Sequence, residues 1–599
     1  MAELKLSELL TGYEKTDNSQ DSRFWQRRIT GSLVAKRHSK FFKAFDSFSD
    51  KLSRVVCYTS TRGYGLFFLG FGLLSLLLHF VKDYFNFYNE VPLGILIMGA
   101  VFAILGLPFL TVDKPLFVAL QSFRITDFVF FEFFCVKRMQ NPENEKGIPP
   151  YLMLIIGLML AMLGAVLPMG AAVIGIVSFA YLFLTFMSPE FSLLTIFLAL
   201  PFLSEIGVDN GLYLSVMVVV TVLSFARKVA MGKRVYYFEQ YDLGLIVMAS
   251  VFVISCVIFN VGAPLEDSIY FIALSFGYTL TGSLISNRRL ADCVVNSVAI
   301  SSIPVSILAI YTYVAKISKD AGSFEAVKTP FASGSSLAVF LVIAIIFCVY
   351  FVKVSTRPVT KLFYAFIGLA DLFTLCLTMF LPALVVLVIA LIAYPVSKMR
   401  GLSGVFLAIL AILPYSLAFI PLSILEKTAN MPILSYFGLY DIGVGYRVGA
   451  SILLDNLFGG TGIGEVCFEP EYYLHGGTGI NCGSFVIQLG CEAGIFAVAI
   501  LVILFGIRLV HRSYYRKFVK DSQVSELCRF ITVTTVSLVW LGAFCYLWED
   551  SSIYYLFWCV FAVGSAVFRI SRREFDEREE YYRDGSTDDS SSVDVMLGR

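Results

Sequence analysis

Charged residues and histidines are scarce in this 599-residue sequence. Only 15% of the residues are charged and 57% are hydrophobic, whereas about a quarter of a typical soluble chain is charged. So low a charge content, combined with long uncharged runs, excludes soluble enzymes, secreted disulfide scaffolds and disordered chains. The 46 Lys and Arg residues balance the 45 Asp and Glu residues, so no net basic charge predicts nucleic-acid binding.

Several sequence motifs are also missing. There is no GxxxxGK[ST] motif, which argues against a nucleotide-driven transporter, and there is no HExxH or paired CxxC motif to indicate a zinc site. An intramembrane metalloprotease or a zinc site is therefore unsupported. The first apolar run begins near Tyr64, after a polar leader, which is not the pattern of a signal peptide.

Long apolar windows dominate the rest of the chain and predict an all-α polytopic membrane protein. About 16 windows of roughly 17–22 residues qualify as transmembrane helices, or about 14 if the short windows near 198 and 389 are excluded. Their centres lie near residues 73, 102, 159, 178, 198, 218, 252, 277, 303, 345, 371, 389, 412, 502, 539 and 561. Charges within the windows are few, with Asp371 a candidate exception, which weakens the case for an ion-coupled pump.

Lysine and arginine residues collect in alternate connections between these windows. If the helices alternate in direction, all of these connections lie on one side of the membrane, together with the basic leader. They are Lys137–Arg138, 226–234, 287–289, 353–361, 397–400 and 508–520. The positive-inside rule then predicts that both termini are cytoplasmic.

The predicted spans divide the chain into five segments. Residues 1–63 form a cytoplasmic leader whose basic and aromatic stretch predicts either an interfacial helix or a solvated basic arm. Transmembrane helices occupy residues 64–421 and 492–569, with a long outer loop at 422–491 between them. The acidic tail, 570–599, has a composition typical of disorder.

Three of the connections are long. Residues 113–149 are predicted to be a cytoplasmic segment whose half-polar stretch lies in the membrane plane, and residues 316–336 form an outer loop. The 422–491 loop is the longest, and long loops on a rigid scaffold often carry function.

A cluster of glycines lies within this long outer loop. Gly459, Gly460, Gly462 and Gly464 follow an apolar helical pattern, which predicts a turn with positive φ or a close approach of the backbone to a neighbour. Glu492 lies at the entrance of the next span. It is either a functional acid or a carboxylate stabilised in the first turn of a helix.

The sequence around these glycines resembles the O-antigen ligase and O-antigen polymerase superfamily. A PLFGVGxG-like turn is matched by Leu457, Phe458, Gly459, Gly462 and Gly464, and the HNxxLQxxxExG-like segment that follows the family's outer loop is matched by Gln488, Glu492 and Gly494. Weaker similarities lie in KTPFASGSSLA (328–338) and in RRLADCVVNSVAISSIPVSILAIYTYV (288–314). Together they cover most of residues 190–570.

The chain departs from the family pattern in places. Gly483 and Ser484 stand where the family has His-Asn, and the segment TMFLPA (378–383) lacks the family's arginine. The arginine ahead of the glycine turn is displaced, since Asp441 stands near its place and Arg447 follows. The same region is also similar to the SEDS peptidoglycan polymerases, although Gly483 stands where their catalytic acid lies.

The resemblance implies a GT-C-like glycosyltransferase fold in a bacterial cytoplasmic membrane. It implies the transfer or polymerisation of glycan from a polyprenyl-diphosphate-linked donor to an acceptor at the outer face, without a metal or cofactor. The implied partners are the lipid-linked oligosaccharide and membrane lipids. Because the family histidine and arginine are missing, a non-catalytic scaffold on the same fold stays open, as does a flippase or transporter of the lipid-linked glycan, which would need inverted repeats.

Polar residues of the outer loops are the candidates for this chemistry. His475, Glu469 or Glu471 would accept the proton of the acceptor hydroxyl, or each is an ordinary loop residue. Arg447 would bind the diphosphate through its guanidinium fork, with Lys328 as a second cation. Alternatively, Arg447 snorkels to the membrane interface and Lys328 is solvated. We expect Arg447 to point into an outer cavity between the two long outer loops.

Two cysteines of the outer loop are candidates for a disulfide. Cys467 and Cys482 lie in one loop, and a bridge would contribute about 3 kcal/mol by the chain-entropy relation. Two free thiols are equally open, and Cys491 is a competing partner. A bridge would require the Cα atoms of Cys467 and Cys482 to lie within roughly 7 Å of each other.

Overall fold

The computed structural model describes most of the chain. The described residues are 27–30, 39–84, 93–134, 147–166, 169–206, 210–230, 234–238, 240–259, 265–319, 327–399, 403–429, 431, 438–464, 466, 481–518 and 522–585. Most of them are helical, and two short strands, β1 (Arg27–Thr30) and β2 (Val235–Phe238), pair with each other.

The helices are numbered here in chain order. They are α1 (Ser39–Tyr58), α2 (Thr61–Tyr84), α3 (Leu93–Leu110), α4 (Leu116–Ser122), α5 (Pro150–Val166), α6 (Met169–Met187), α7 (Pro189–Ala199), α8 (Asn210–Ala230), α9 (Gln240–Ile254), α10 (Leu265–Leu284), α11 (Arg288–Lys319), α12 (Gly334–Val354), α13 (Pro358–Leu377), α14 (Leu381–Lys398), α15 (Ser403–Ile412), α16 (Leu422–Ala429), α17 (Leu439–Asp455), α18 (Phe485–Phe518), α19 (Ser522–Leu541) and α20 (Ser551–Gly585). Short helical turns complete the set: Arg124–Thr126, Asp127–Phe133, Leu200–Ile206, Ser255–Phe259 and Leu413–Phe419.

The helices make this chain an all-α polytopic membrane protein. Within the described residues, nine helices are long and apolar enough to cross a membrane, and a tenth candidate is the pair Ser403–Phe419 and Leu422–Thr428, bent by 102°. Six further apolar helices have only 10–17 described residues. Every predicted centre falls within one of these segments. Three of the six shorter segments belong to helices of 18, 19 and 20 residues, α3, α6 and α10, whose lengths approach that of a membrane span. The expected number of 14–16 spans stays a prediction.

The described chain separates into two compact units. The larger contains Met1–Ile29, Thr195–Val219 and Val235–Arg599, and the smaller contains Thr30–Leu194 and Val220–Arg234, as far as these ranges are described.

Helices of the smaller unit pack closely through glycines. A Cβ atom at Gly72 of α2 would lie 2.5 Å from the backbone nitrogen of Ala103 in α3. A Cβ atom at Gly157 of α5 would lie 2.5 Å from the carbonyl oxygen of Phe67 in α2. Such backbone contact through small residues is typical of helices in membranes, where van der Waals packing drives helix association.

Two predicted cytoplasmic segments take forms that the sequence did not specify. Within the described part of the basic leader, residues 27–30 form strand β1 and helix α1 begins at Ser39, and an interfacial helix and a solvated arm both stay open. In the segment 113–149, Phe117 of α4 packs edge-to-face on Phe131 of the Asp127–Phe133 turn, with ring centroids 5.0 Å apart. Both helical pieces have 7 residues, too few to cross a bilayer.

Asp371 is a fully buried carboxyl group in α13 of the larger unit. The hydroxyl oxygen of Ser302 in α11 lies 2.7 Å from Asp371 Oδ2, and Ser306 donates to Oδ1 at 2.7 Å. Both serine hydroxyls therefore donate to the buried carboxyl group, one to each of its oxygens.

The substitution Asp371→Asn should cost little stability. The asparagine oxygen still accepts from Ser306 and its NH₂ group can donate to the hydroxyl oxygen of Ser302, so the cost should stay below about 1 kcal/mol. Asp371→Ala removes both contacts and leaves a void, with an expected cost of about 2–3 kcal/mol. Thermal unfolding of the purified protein in detergent measures both, and equal losses in the two variants would show that the two hydrogen bonds from α11 do not stabilise the protein.

Candidate functional site

Helix α17 lies in the predicted outer loop and packs closely on the start of α18. A Cβ atom at Gly445 would lie 2.4 Å from the carbonyl oxygen of Cys482, and one at Gly449 would lie 2.4 Å from Cγ2 of Ile487. These two glycines are four residues apart and therefore lie on one face of the helix. The predicted loop thus contains an ordered helix that is docked on the start of α18.

The predicted glycine turn wraps around the main chain of α18. The N–H groups of Thr461 and Gly462 donate to the carbonyl oxygens of Cys491 (2.7 Å) and Glu492 (3.0 Å), and a Cβ atom at Gly460 would lie only 2.3 Å from the Glu492 oxygen. Gly460, Gly462 and Gly464 have φ values of 66°, 101° and 81°. Both expectations, positive φ and close backbone approach, are confirmed.

Helix α18 is interrupted at Gly494, beside the start of the glycine turn. Gly494 has φ 79° and ψ 177°, a non-helical conformation within the helix, and this region is essentially restricted to glycine. The N–H of the next residue, Ile495, donates to the carbonyl oxygen of Leu457 at 2.9 Å. Ser255 Oγ hydrogen-bonds to the carbonyl of Gly459 and lies 3.2 Å from that of Glu492. We call residues 456–464 with 491–495 the clasp.

The side chain of Glu492 is buried beneath the clasp and holds two hydrogen bonds. Gln488 Nε2 donates to Oε1 at 2.7 Å, and the Tyr546 hydroxyl donates to Oε2 at 2.7 Å. Gln488 Oε1 in turn accepts the backbone N–H of Cys482 at 2.7 Å. Only 1% of Glu492 is exposed, so the carboxylate does not act as a solvated acid at a helix start. It positions Gln488, which fixes the backbone at Cys482.

The connection between α19 and α20, residues 542–550, touches all of these elements. The carbonyl oxygen of Gly542 accepts the N–H of Phe485 at 2.7 Å, and that of Ala543 accepts the Tyr446 hydroxyl at 2.7 Å. Tyr546 reaches Glu492 from the same connection. Burial and the adjacent carboxylate raise the pKa of the Tyr546 phenol well above its ordinary value, so this hydroxyl stays protonated and donates.

The far end of this connection contacts the other predicted outer loop. Glu549 hydrogen-bonds with Ser333, and the backbone amide of Ala332 faces the carboxylate of Asp550. The N–H of Ser552 donates to Asp550 Oδ1 at 2.8 Å. Burial raises the pKa of Asp550 above its ordinary value. Ala332 and Ser333 of the KTPFASGSSLA segment therefore contact the same connection, 542–550, that contacts the two stronger motif segments.

The predicted cations are both exposed. Arg447 lies two residues from Gly445 and from Gly449, so it occupies the opposite face of α17 from the packed one. Lys328 lies in the segment before α12. Exposure makes both side chains accessible to an anionic ligand, and an outer cavity around Arg447 stays a prediction.

The predicted bases and one predicted cysteine lie outside the described residues. These are His475, Glu469, Glu471 and Cys467. Cys482 is a buried free thiol whose hydrogen-bond partner is the thiol of Cys491, the competing partner that the sequence suggested. Within the described part of the chain, no group of three or more His, Cys, Asp or Glu side chains is arranged to hold a metal ion.

Sequence reasoning missed the residues that link the site together. Tyr546, Tyr446 and Ser255 supply hydrogen bonds between elements, and of the three only Tyr446 lies in a segment that resembles a known motif, that of the SEDS proteins. The one available signal was the polar pair Glu549–Asp550 within an otherwise aromatic connection.

No protein-family model matches the chain, and no curated protein matches it. The similarity to the O-antigen ligases and polymerases therefore stays an expectation drawn from the sequence motifs alone.

Two described residues flank the segment that contains the candidate bases. Val466, just after the clasp, is fully buried with Cys482 and Cys491, and the backbone N–H of Cys482 donates to Gln488. Val466 and Cys482 are therefore both packed near the start of α18.

Proposed function

We propose that this protein transfers or polymerises glycan from a polyprenyl-diphosphate-linked donor at the outer face of the cytoplasmic membrane, on a GT-C-like fold. The observation that carries the proposal is the clasp. The two motif segments that resemble the O-antigen ligases are about 30 residues apart, and they join through backbone hydrogen bonds at the break in α18.

The clasp supports this function because it brackets the candidate catalytic residues. His475, Glu469 and Glu471 all lie between Val466 and Cys482, the two residues that flank the segment. In the proposed scheme this segment carries the base to the acceptor hydroxyl, and proximity of the two groups would lower the barrier for transfer. Glu492 is a positioning residue in this scheme, since its carboxylate is enclosed by Gln488 and Tyr546.

The chemistry requires a base and a cation. A loop base accepts the proton of the acceptor hydroxyl as the hydroxyl attacks the anomeric carbon, and the bond from that carbon to the diphosphate oxygen breaks. The departing diphosphate carries the negative charge, which an arginine fork stabilises by bidentate hydrogen bonding. Arg447 is assigned to this role because it is exposed on a helix that is fixed to the clasp.

Glycan transfer in proteoliposomes tests the assignment. With an undecaprenyl-diphosphate-linked oligosaccharide as donor, His475→Ala should lower the transfer rate by about 10²–10⁴-fold if His475 is the base. Arg447→Ala should abolish nearly all transfer, and Arg447→Lys should retain part of it because the charge is kept and the fork is lost.

The control is His511→Ala, which removes a histidine predicted to lie on the cytoplasmic side. It should leave the rate unchanged. Full transfer by His475→Ala would move the base to Glu469 or Glu471, tested by their Gln variants. Full transfer by the Arg447→Ala and His475→Ala variants and by both Gln variants would refute the proposed site.

A further inference from the structure

A cleft of ≈330 Å³ opens where α11 begins and α12 ends, in the larger unit. It is lined by Arg288, Arg289, Asp292, Cys293, Asn296 and Phe351. The two arginines belong to the basic connection 287–289, so the positive-inside rule predicts that this cleft lies on the cytoplasmic side. It is therefore at the opposite predicted face from the clasp.

Neighbouring side chains hold Arg288 in place at this cleft. Asp292 Oδ2 lies 3.4 Å from Nε of Arg288, and Gln523 of α19 accepts a hydrogen bond from the guanidinium. The other oxygen of Asp292 accepts the Tyr350 hydroxyl at 2.8 Å. The Arg288 side chain nevertheless stays 28% exposed, so it is oriented before any ligand arrives and is still accessible to one.

Asn296 contributes an oriented amide one helical turn further into the cleft. Its Oδ1 accepts the Tyr364 hydroxyl at 2.6 Å. That bond fixes the amide plane and turns the NH₂ group, which carries two donors, away from Tyr364. The Tyr364 ring stacks on Phe351, with ring centroids 4.7 Å apart, which gives the cleft an apolar wall.

The lining therefore combines two guanidinium groups, one carboxylate and an amide donor, with a net charge of +1. Arginine guanidinium groups and amide N–H groups are the donors that bind phosphate oxygens. Apolar side chains are exposed on the helix that carries Tyr364, among them Val359, Leu362 and Phe366. A lipid bound with its headgroup in the cleft would have apolar surface next to it.

We propose that this cleft binds a phosphate group, carried either by an anionic phospholipid or by a small soluble phosphate ester. The site is independent of glycan transfer at the opposite face. Basic pockets between transmembrane helices on the cytoplasmic side are suited to anionic headgroups because arginine charge and a membrane boundary coincide there.

Native mass spectrometry of the full-length protein in detergent tests the proposal with phosphatidylglycerol and phosphatidylcholine as probes. Phosphatidylglycerol should bind more tightly than phosphatidylcholine, and Arg288→Gln with Arg289→Gln should weaken its binding at least about tenfold, since hydrogen bonds to charged groups are lost. The matched control is Arg357→Gln with Lys361→Gln, which makes the same change in charge at exposed residues of the next connection and should leave binding unchanged.

A second variant keeps the test valid if the double substitution fails to fold. Asn296→Asp preserves an oxygen for Tyr364 and places a second carboxylate in the cleft, so it should also weaken phosphatidylglycerol binding. Glycerol 3-phosphate forms the other arm. If it binds with the same dependence on Arg288 and Arg289 and phosphatidylglycerol does not, the ligand is a soluble phosphate ester. Equal affinity for both lipids without binding of glycerol 3-phosphate, or equal losses in the two double variants, would overturn the proposal.

Discussion

Replacing Gly494 by alanine is expected to destabilise the protein by about 3 kcal/mol or more. The backbone at Gly494 has φ 79° and ψ 177°, a conformation that costs a residue with a Cβ atom roughly 1–3 kcal/mol. The added Cβ would also lie 2.6 Å from the carbonyl oxygen of Phe458, so the clasp would have to open. The shift in thermal unfolding of the detergent-solubilised protein measures the effect.

Gly506 provides the control on the same helix. A Cβ atom there meets nothing within 4 Å, and Gly506 lies in the long helical part of α18. Gly506→Ala should therefore be neutral or stabilising by about 0.5–1 kcal/mol, because alanine loses less backbone entropy than glycine in a helix. A Gly494→Ala protein as stable as Gly506→Ala would show that the break in α18 is not needed.

Replacing Glu492 by alanine is the second large expected effect, with a cost of about 2–5 kcal/mol. The change leaves Gln488 Nε2 and the Tyr546 hydroxyl without their acceptor in a buried position. Glu492→Gln should cost far less, because the amide oxygen still accepts from Gln488 and its NH₂ group can donate to the phenol oxygen. Thermal unfolding compares the variants, and glycan transfer by Glu492→Ala should fall with its stability.

A double-mutant cycle with Tyr546→Phe separates this network from packing alone. Glu492→Ala and Tyr546→Phe remove the same hydrogen bond, so their combined cost should fall short of the sum of the single costs by about 1 kcal/mol. A strictly additive cycle would mean that the contact between Glu492 and Tyr546 contributes nothing to stability.

The sequence predicted the elements whose signals are local. Long apolar windows located the helices, and the density of glycines at 459–464 predicted the turn. The spacing of Gly445 and Gly449 also predicts which way Arg447 points, because residues two apart on a helix lie on opposite faces. That pattern was open to sequence reasoning, and it places Arg447 on the face turned away from the packed one.

The sequence did not predict contacts between distant segments. Glu492 had two equally open interpretations, and neither pointed to Tyr546, its hydrogen-bond partner 54 residues away. The donors to Asp371 come from α11, more than 60 residues away. A hydroxyl or amide carries no periodic pattern that identifies its partner, so only the tertiary structure reveals which groups pair.

Release of free undecaprenyl diphosphate is the measurement that tests the central claim most directly. Proteoliposomes containing the wild-type protein, the lipid-linked oligosaccharide and an acceptor should release undecaprenyl diphosphate in equal amounts to the extended glycan, because transfer breaks the bond between sugar and diphosphate. Donor that crosses the bilayer with its diphosphate bond intact would identify a flippase instead. Donor that stays unchanged on its own leaflet would contradict glycan transfer and leave a scaffold.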